Sequence, residues 1–307
     1  MSFIGFDTSN YTTSIACFDG MGGMNCSKLL PVKEGELGLR QSDAVFAHIK
    51  GLPELSGRLF SHISAESVKA IGVSTRPRAV DGSYMPCFMV GYTHAKMLSD
   101  LLHVPLFEFS HQQGHVAASL WSADRLDLMD APHLAWHLSG GTTELLLVEP
   151  DGKNVRCTRI GGTTDISAGQ LIDRTGKLLN LPFPSGKHLD ELSKSASGRE
   201  VFKVKCPDME FSLSGVQNKV ESFHKNCAEP AETAAYALRC VCWAVLQATK
   251  NARKAYPGLP VVFSGGVASN SMLRRELSCL DPVFAQPQYS TDNAMGIAVL
   301  TSRAWEG

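Results

Sequence analysis

Two distant stretches of this chain follow one plan, and that repetition constrains the fold more than any other feature. Near the N-terminus an apolar strand, Ile4-Gly-Phe6, ends in the small polar tip Asp7-Thr-Ser-Asn10. It returns as Thr12-Thr-Ser-Ile-Ala-Cys-Phe18 and turns at Asp19-Gly20. Far downstream His133-Leu-Ala-Trp-His-Leu138 ends in Ser139-Gly-Gly-Thr-Thr-Glu144, returns as Leu145-Leu-Leu-Val148 and turns near Asp151-Gly152. A duplicated strand–tip–strand unit predicts two related lobes. Each tip offers small residues and open backbone amides, which admit a phosphate, so a nucleotide is expected in a cleft between the lobes. Taken singly, either tip is equally a plain turn held by Asx and Ser/Thr hydrogen bonds. A length of 307 residues accommodates two lobes of about 150 residues. The expected division is 1–128 and 129–307.

Strands and helices alternate along the chain, which predicts an α/β architecture. Helices are expected from Leu37 to Phe60, over Met89–Leu98, Ala168–Leu179 and Ala231–Ala255, from Met272, and over Met295–Trp305. Further strands are expected at Val68–Ser74, Val104–Phe109, Val155–Ile160 and Val261–Phe263. Pro182-Phe-Pro-Ser-Gly-Lys187 reads as a tight loop whose Gly186 would admit a sugar, and Phe211-Ser-Leu-Ser-Gly-Val216 as a hydroxyl-rich turn before a helix carrying Lys219.

Ser110-His-Gln-Gln-Gly-His115 carries the clearest chemistry. His111 and His115 are four apart, so on a helix they share one face, one turn from each other. Helices offer two imidazoles to one metal ion with that spacing. The alternative is a pair of helix-start histidines with satisfied hydrogen bonds. A third ligand must come from elsewhere, and Asp292 in Ser290-Thr-Asp-Asn-Ala294 is the candidate. Two imidazoles and a carboxylate suit Fe(II) or Zn(II). Asp7, at its strand end, could orient a magnesium ion or a water. Asp173 could accept from a ribose hydroxyl or pair with Lys177 four residues on. The strand, glycine pair and helix start of Ser264-Gly265-Gly266-Val-Ala-Ser-Asn270 suit a nucleotide, through backbone N–H groups and the helix dipole. Arg76 and Arg78 meet phosphate or carboxylate, or are simply solvated.

The net charge of -1 does not announce a nucleic-acid binder, so RNA contact would need a local basic patch. Nine cysteines without a CxxC pair predict reduced thiols and a cytoplasmic protein. No signal peptide and no membrane-length apolar run is expected.

Taken in order, the segments Ser110–His115, Leu138–Leu145, Ala168–Leu179, Phe211–Gly215, Ser264–Asn270 and Ser290–Ala294 resemble the tRNA threonylcarbamoyladenosine transferase (TsaD) family nearly end to end. The resemblance implies the actin-like ATPase (ASKHA) fold, two RNase H-like lobes with a cleft between them. It implies His111, His115 and Asp292 as metal ligands and His137, Leu138, Ser139, Gly140 and Gly141 as a substrate loop. It implies Asp173, Gly186 and Asn270 as adenylate-binding positions, with Gly265 and Gly266 beside them, and Asp7 and Ser139 as candidate catalytic side chains. The implied reaction is transfer of a threonylcarbamoyl group from threonylcarbamoyl-AMP to N6 of adenosine 37 of tRNA. The implied cofactor is one Fe(II) or Zn(II), with Mg accompanying an adenine nucleotide as a further option; the implied partners are tRNA and a TsaB-like subunit. The chain departs from the family pattern at the first tip. Family members carry an Asp-Glu pair in that tip; here Asn10 and Tyr11 stand at the tip and Thr12 where an acid is expected, Thr142 stands where a His usually follows the Ser-Gly-Gly turn, and Arg76-Pro-Arg78 replaces a glycine-rich loop. Those departures raise a second reading, a catalytically reduced nucleotide-binding paralogue that partners a true family member. Proteolysis is disfavoured, because the HxxxH lacks the glutamate of an HExxH helix and Gln112 and Gln113 cannot act as a base.

Overall fold

The computed structural model describes residues 1–31 and 39–307. In chain order the first part contains β1 (Ser2–Ser9), β2 (Thr12–Phe18), β3 (Gly23–Leu29), α1 (Gln41–Phe60), β4 (Val68–Arg76), α2 (Phe88–Leu102), β5 (Leu106–Ser110) and α3 (His111–Ser122). There follow β6 (His133–Leu138), β7 (Thr143–Asp151), β8 (Asn154–Thr163), α4 (Ala168–Leu178), α5 (Gly186–Ser193), β9 (Glu210–Phe211), α6 (Ser214–Cys227), α7 (Pro230–Ala255), β10 (Val261–Ser264), α8 (Ser271–Leu277), β11 (Val283–Phe284) and α9 (Met295–Trp305). The helix expected from Leu37 starts, within the described residues, at Gln41; Leu37 lies outside them.

One sheet has the order β3-β2-β1-β4-β5 and the other β11-β10-β6-β7-β8-β9. In the first, β1 pairs antiparallel with β2 and parallel with β4, and β4 pairs parallel with β5. In the second, β6 pairs antiparallel with β7 and parallel with β10, which pairs parallel with β11. The same connectivity therefore occurs twice, as the repeated strand–tip–strand plan predicts.

Two compact units result. Unit 1 comprises Met1–Ala131, Glu149–Cys157 and Asp292–Gly307; unit 2 comprises Pro132–Val148 and Thr158–Thr291. The expected cut after residue 128 falls near the first crossing, but the division is not a single cut, because the C-terminal helix belongs with unit 1. The reason is close packing. A methyl built on Gly5 of β1 would lie 2.5 Å from the Ala298 nitrogen and 2.6 Å from the Ala294 carbonyl, and one on Gly72 of β4 would strike the Thr301 hydroxyl. Bare backbone on the sheet thus seats α9 directly on β1 and β4. On the sheet's other side Leu52, Leu55 and Leu59 of α1 and Val90 and Ala95 of α2 close a core over Ile4, Ile15 and Ile71. The core of unit 2 centres on Trp136, Leu145, Leu171 and the apolar face of α7, and the Trp136 indole donates to Thr249 Oγ1 at 2.9 Å.

Two sequence expectations need correction. The loop expected over residues 182–187 gives way to α5 at Gly186, whose buried Leu189 and Ser193 seat it as a helix. The edge strand β3 was not anticipated, because only Cys26 of its seven residues is buried and no period-2 apolar pattern marks it.

Candidate metal centre

Parallel β1, β4 and β5 bring their C-terminal ends to one edge of the sheet, where ligands collect in such sheets. Asp7 lies near the end of β1, and His111 follows the last residue of β5. The turn from β5 into α3 is fixed by a capping box. The Gln113 backbone N–H donates to Ser110 Oγ, and the Ser110 N–H donates to Gln113 Oε1 at 2.9 Å. Gln113 Nε2 in turn donates to the Val155 carbonyl at 2.8 Å. The pattern Ser-x-x-Gln at 110–113 is legible in the sequence and sets where the helix begins. Both histidines then project from the first turns of α3.

Asp292, just ahead of α9, meets them. His115 Nε2 lies 2.9 Å from His111 Nε2 and 3.2 Å from Asp292 Oδ1, and His111 Nε2 lies 3.6 Å from the same oxygen. A metal–ligand bond of about 2.0–2.1 Å separates neighbouring donors by about 2.9 Å in an octahedral site and about 3.4 Å in a tetrahedral one. The observed spacings bracket those values, so the three donors fit one divalent cation. The donor set, two imidazoles and one carboxylate, leaves room for further ligands.

Asp7 is almost fully buried and both its oxygens are engaged. Oδ1 accepts the Ser9 N–H at 3.0 Å, and Oδ2 lies 2.7 Å from His111 Nδ1. Asp7 is therefore not free at a tip to hold magnesium. It stands behind His111 and accepts from Nδ1–H, which turns Nε2 toward His115 and Asp292, an arrangement like the carboxylate–histidine pairs of metal sites. Ser9 donates to Asp292 Oδ2 at 3.4 Å, a contact the sequence reading did not foresee. Replacing Asp7 with asparagine is expected to weaken metal binding about 10–100-fold, read as a rise in the metal dissociation constant with unchanged fold by circular dichroism.

Burial alone would lower the His111 pKa, but the carboxylates of Asp7 and Asp292 overcome that and push it up to about 10 from 6.5. Burial would likewise raise Asp292, yet its hydrogen bonds to the two imidazoles hold it well below the usual carboxylate range. The metal-free protein thus carries a proton on His111 at neutral pH, and a cation must expel it. Metal affinity should therefore climb as pH rises toward about 10 and level off above it, with close to one proton released per ion at pH 7.5. The dependence of binding heat on buffer ionisation enthalpy measures that release. In the metal-free protein the stability from this proton is complete below about pH 6.5 and is lost as pH rises through 10.

The remaining expected positions lie in unit 2. Leu138 is wholly buried in its core, so only its backbone is available to a ligand. Ser139 closes the tip, donating its N–H to the Thr142 carbonyl at 2.8 Å and accepting the Thr142 N–H at 3.1 Å on Oγ. His137 sits on β6 opposite Glu144. Gly140, Gly141 and Gly186 have open space where a side chain would be. Gly265 takes φ +89°, and a methyl there would strike the Leu138 carbonyl. Gly266 follows at the start of a short 3-10 turn. Asp173 accepts the Ser185 N–H at 2.8 Å rather than pairing with Lys177, and burial raises its pKa. Asn270 Oδ1 accepts the Leu273 N–H at 3.0 Å as the cap of α8, so its acceptor oxygen is committed and its amide nitrogen is what it can offer a ligand. Arg76 is exposed at the end of β4, in register with Ser110.

At the first tip, Asn10 Oδ1 accepts from Gln41 Nε2 at 2.7 Å, and Thr13 Oγ1 lies 2.8 Å from His48 Nδ1. Hydrogen bonds to α1 thus hold the hairpin on either side of Tyr11 and Thr12.

Known proteins share the fold and, in part, the sequence. The chain has the actin-like ATPase fold. It covers all of the (R)-2-hydroxyglutaryl-CoA dehydratase component A of Acidaminococcus fermentans and is itself wholly covered, with TM-score 0.60 at 13% identity. It aligns over its whole length with 48% of HypF from T. kodakarensis, TM-score 0.64 at 13% identity. It also aligns with all of a ROK family glucokinase from Streptomyces griseus, TM-score 0.56 at 9% identity. In sequence, the tRNA N6-adenosine threonylcarbamoyltransferase of Carboxydothermus hydrogenoformans is 32% identical over 268 residues, covering 82% of this chain and 75% of that protein. The protein of the same name from Lactococcus lactis subsp. cremoris is 31% identical over 230 residues, covering 71% of this chain and 64% of its own length. The family model described as tRNA N6-adenosine threonylcarbamoyltransferase matches residues 38–299. The chain belongs to the TsaD family, the tRNA N6-adenosine threonylcarbamoyltransferases.

Proposed function

We propose that this chain uses His111, His115 and Asp292 to hold one Fe(II) or Zn(II) ion in the transfer of a threonylcarbamoyl group from threonylcarbamoyl-AMP to N6 of adenosine 37 of tRNA. The observation that carries the residue assignment is the convergence of three metal-type donors on one point, in a chain of a tRNA threonylcarbamoyltransferase family. In the reaction the adenosine amine forms a bond to the carbamoyl carbon and gives up one proton, and the bond from that carbon to the adenylate oxygen breaks, releasing AMP. Bound metal supplies positive charge for oxygens of the carbamoyl or adenylate group as charge develops.

The chain's own residues do the rest. Asp7 fixes the His111 tautomer, and Ser9 orients Asp292. The Ser139–Gly141 turn, flanked by His137 and Leu138, offers backbone N–H groups to the substrate, with Ser139 Oγ as a positioning hydroxyl. Asp173 accepts from a ribose hydroxyl, and the open face at Gly186, the glycine pair Gly265–Gly266 and the Asn270 amide receive the rest of the adenylate. Mg accompanies a phosphorylated adenine ligand if one is required. The partners proposed are tRNA and a TsaB-like subunit. No helix among the described residues is long and apolar enough to cross a membrane, and the nine cysteines are free, which supports the cytoplasm as its compartment.

The test is incubation of metal-loaded protein, with and without a TsaB-like subunit, with threonylcarbamoyl-AMP and unmodified tRNA. Modified nucleoside by mass spectrometry supports the reading. Adenylate binding without turnover under both conditions supports the partner paralogue instead.

A further inference from the structure

The Ser139–Gly141 turn rests on the first turn of α4. A methyl on Gly169 would lie 2.5 Å from both the Gly140 Cα and the Ser139 carbonyl. The Gly169 N–H donates to that carbonyl at 3.3 Å, and the Ala168 N–H donates to Thr143 Oγ1 at 2.8 Å. Both ends of the turn are thereby fixed. The peptide between Gly140 and Gly141 is held by a single contact. Its carbonyl accepts the hydroxyl of Ser167 at 2.6 Å, and Ser167 is buried. Among the described residues that is the only hydrogen bond this peptide makes. The Gly140 and Gly141 N–H groups meet no acceptor there, and both residues are exposed.

A trans peptide points its C=O and its N–H in opposite directions. With the Gly140 carbonyl turned in to Ser167, the Gly141 N–H turns outward, away from it. The two glycines cannot hold that plane by themselves, because without a Cβ each accepts either orientation of the peptide between them. The two orientations offer a ligand opposite chemistry. N–H outward presents a donor to an anionic oxygen; C=O outward presents a lone pair that repels it. Ser167 is suited to choose between them. Its Oγ accepts the Gln170 N–H at 3.0 Å, and its own N–H donates to Gln170 Oε1 at 3.1 Å. Those bonds fix the side chain and leave the hydroxyl proton for Gly140.

We propose that Ser167 is a positioning residue whose hydroxyl locks the Gly140–Gly141 peptide with its N–H toward the phosphate of the adenylate. The inference rests on the reading of Ser139–Gly141 as a substrate loop. Its test titrates the full chain calorimetrically with adenosine 5′-monophosphate and with adenosine, which lacks the phosphate. Wild-type protein should prefer the monophosphate. Ser167→Ala should bind the monophosphate about tenfold more weakly, the size of one hydrogen bond to a charged group, and adenosine as before. Ser167→Thr, which keeps a hydroxyl, should bind both as the wild type does. Ser167 also caps α4, so Gln170→Ala is measured beside it. That change loosens the same helix end but spares the hydroxyl, and should lower the melting temperature without altering the preference. If Ser167→Ala folds poorly, Ser167→Gly, which helices accept at this position, is scored by the same criteria. A hydroxyl-free variant that keeps the wild-type preference, or weakens both ligands alike, overturns the proposal. So does loss of the preference in Gln170→Ala or in Ser167→Thr. Wild-type protein with no preference for the monophosphate removes the substrate-loop reading itself, and this inference with it.

Discussion

Replacing His115 with alanine is expected to strip the protein of bound metal and to abolish transfer. His115 is the hub of the triad, the imidazole within 3.2 Å of both other donors. Removing it leaves His111 and Asp292, whose spacing of 3.6 Å gives two protein ligands and no third. Loss of an outer partner to a metal ligand costs about 10–100-fold in affinity, and loss of a ligand itself should exceed that range. If the ion supplies about 4 kcal/mol of charge stabilisation in the transition state, turnover falls about 1,000-fold. Metal content by mass spectrometry and modified nucleoside from single-turnover reactions read the two effects separately. His115→Ala protein that keeps one equivalent of metal and wild-type turnover would refute the assignment.

The second large effect is expected far from any reacting atom. Gly296 of α9 and Gly114 of α3 touch backbone to backbone: a methyl on Gly296 would run into the Gly114 carbonyl and come within 2.8 Å of the Ala118 nitrogen. No rotamer change relieves a clash with backbone, so Gly296→Ala must separate the two helices. Overpacking costs about 1–3 kcal/mol and occasionally more, and this substitution should sit at or above the top of that range. The same crossing sets the metal centre, because α3 carries both histidines and Asp292 lies three residues ahead of α9. Gly296→Ala should therefore lose metal affinity as well as stability. Gly57→Ala, where a methyl meets open space in α1, should do neither. Denaturant melts and metal titrations of the two variants make the comparison, and equal stabilities would contradict the close-packing account.

How much of this was legible in the sequence depends on the range over which each residue acts. The four-residue spacing of His111 and His115 fixed their common face, because helix geometry alone sets it. The repeated strand–tip–strand plan gave the two related sheets, because turns and alternation are local signals. Asp292 is different. The sequence offers it as a third ligand, but nothing in local pattern ties it to α3; its approach depends on glycines that let α9 sit against α3 and β1. Asp7 was placed on a tip as a metal or water ligand. The parallel order β1-β4-β5 instead turns it inward behind His111, a consequence of strand pairing that no single stretch reveals. Asn270, expected from the sequence at the nucleotide site, also caps α8 through its oxygen, a common task of Asn at a helix start, and keeps its amide nitrogen for a ligand. The helix at Gly186 was hidden by Pro182, Pro184 and Gly186, whose local preferences favour a turn.

The X-ray absorption spectrum of metal-loaded protein tests the central claim most directly. The account predicts one ion per chain with only nitrogen and oxygen neighbours at about 2.0–2.2 Å. Outer-shell scattering should show two imidazoles in the wild type, and His111→Ala and Asp292→Ala should each lose most of the bound metal and with it that signature. Sulfur neighbours near 2.3 Å, or a spectrum unchanged by those substitutions, would place the ion elsewhere and contradict the account.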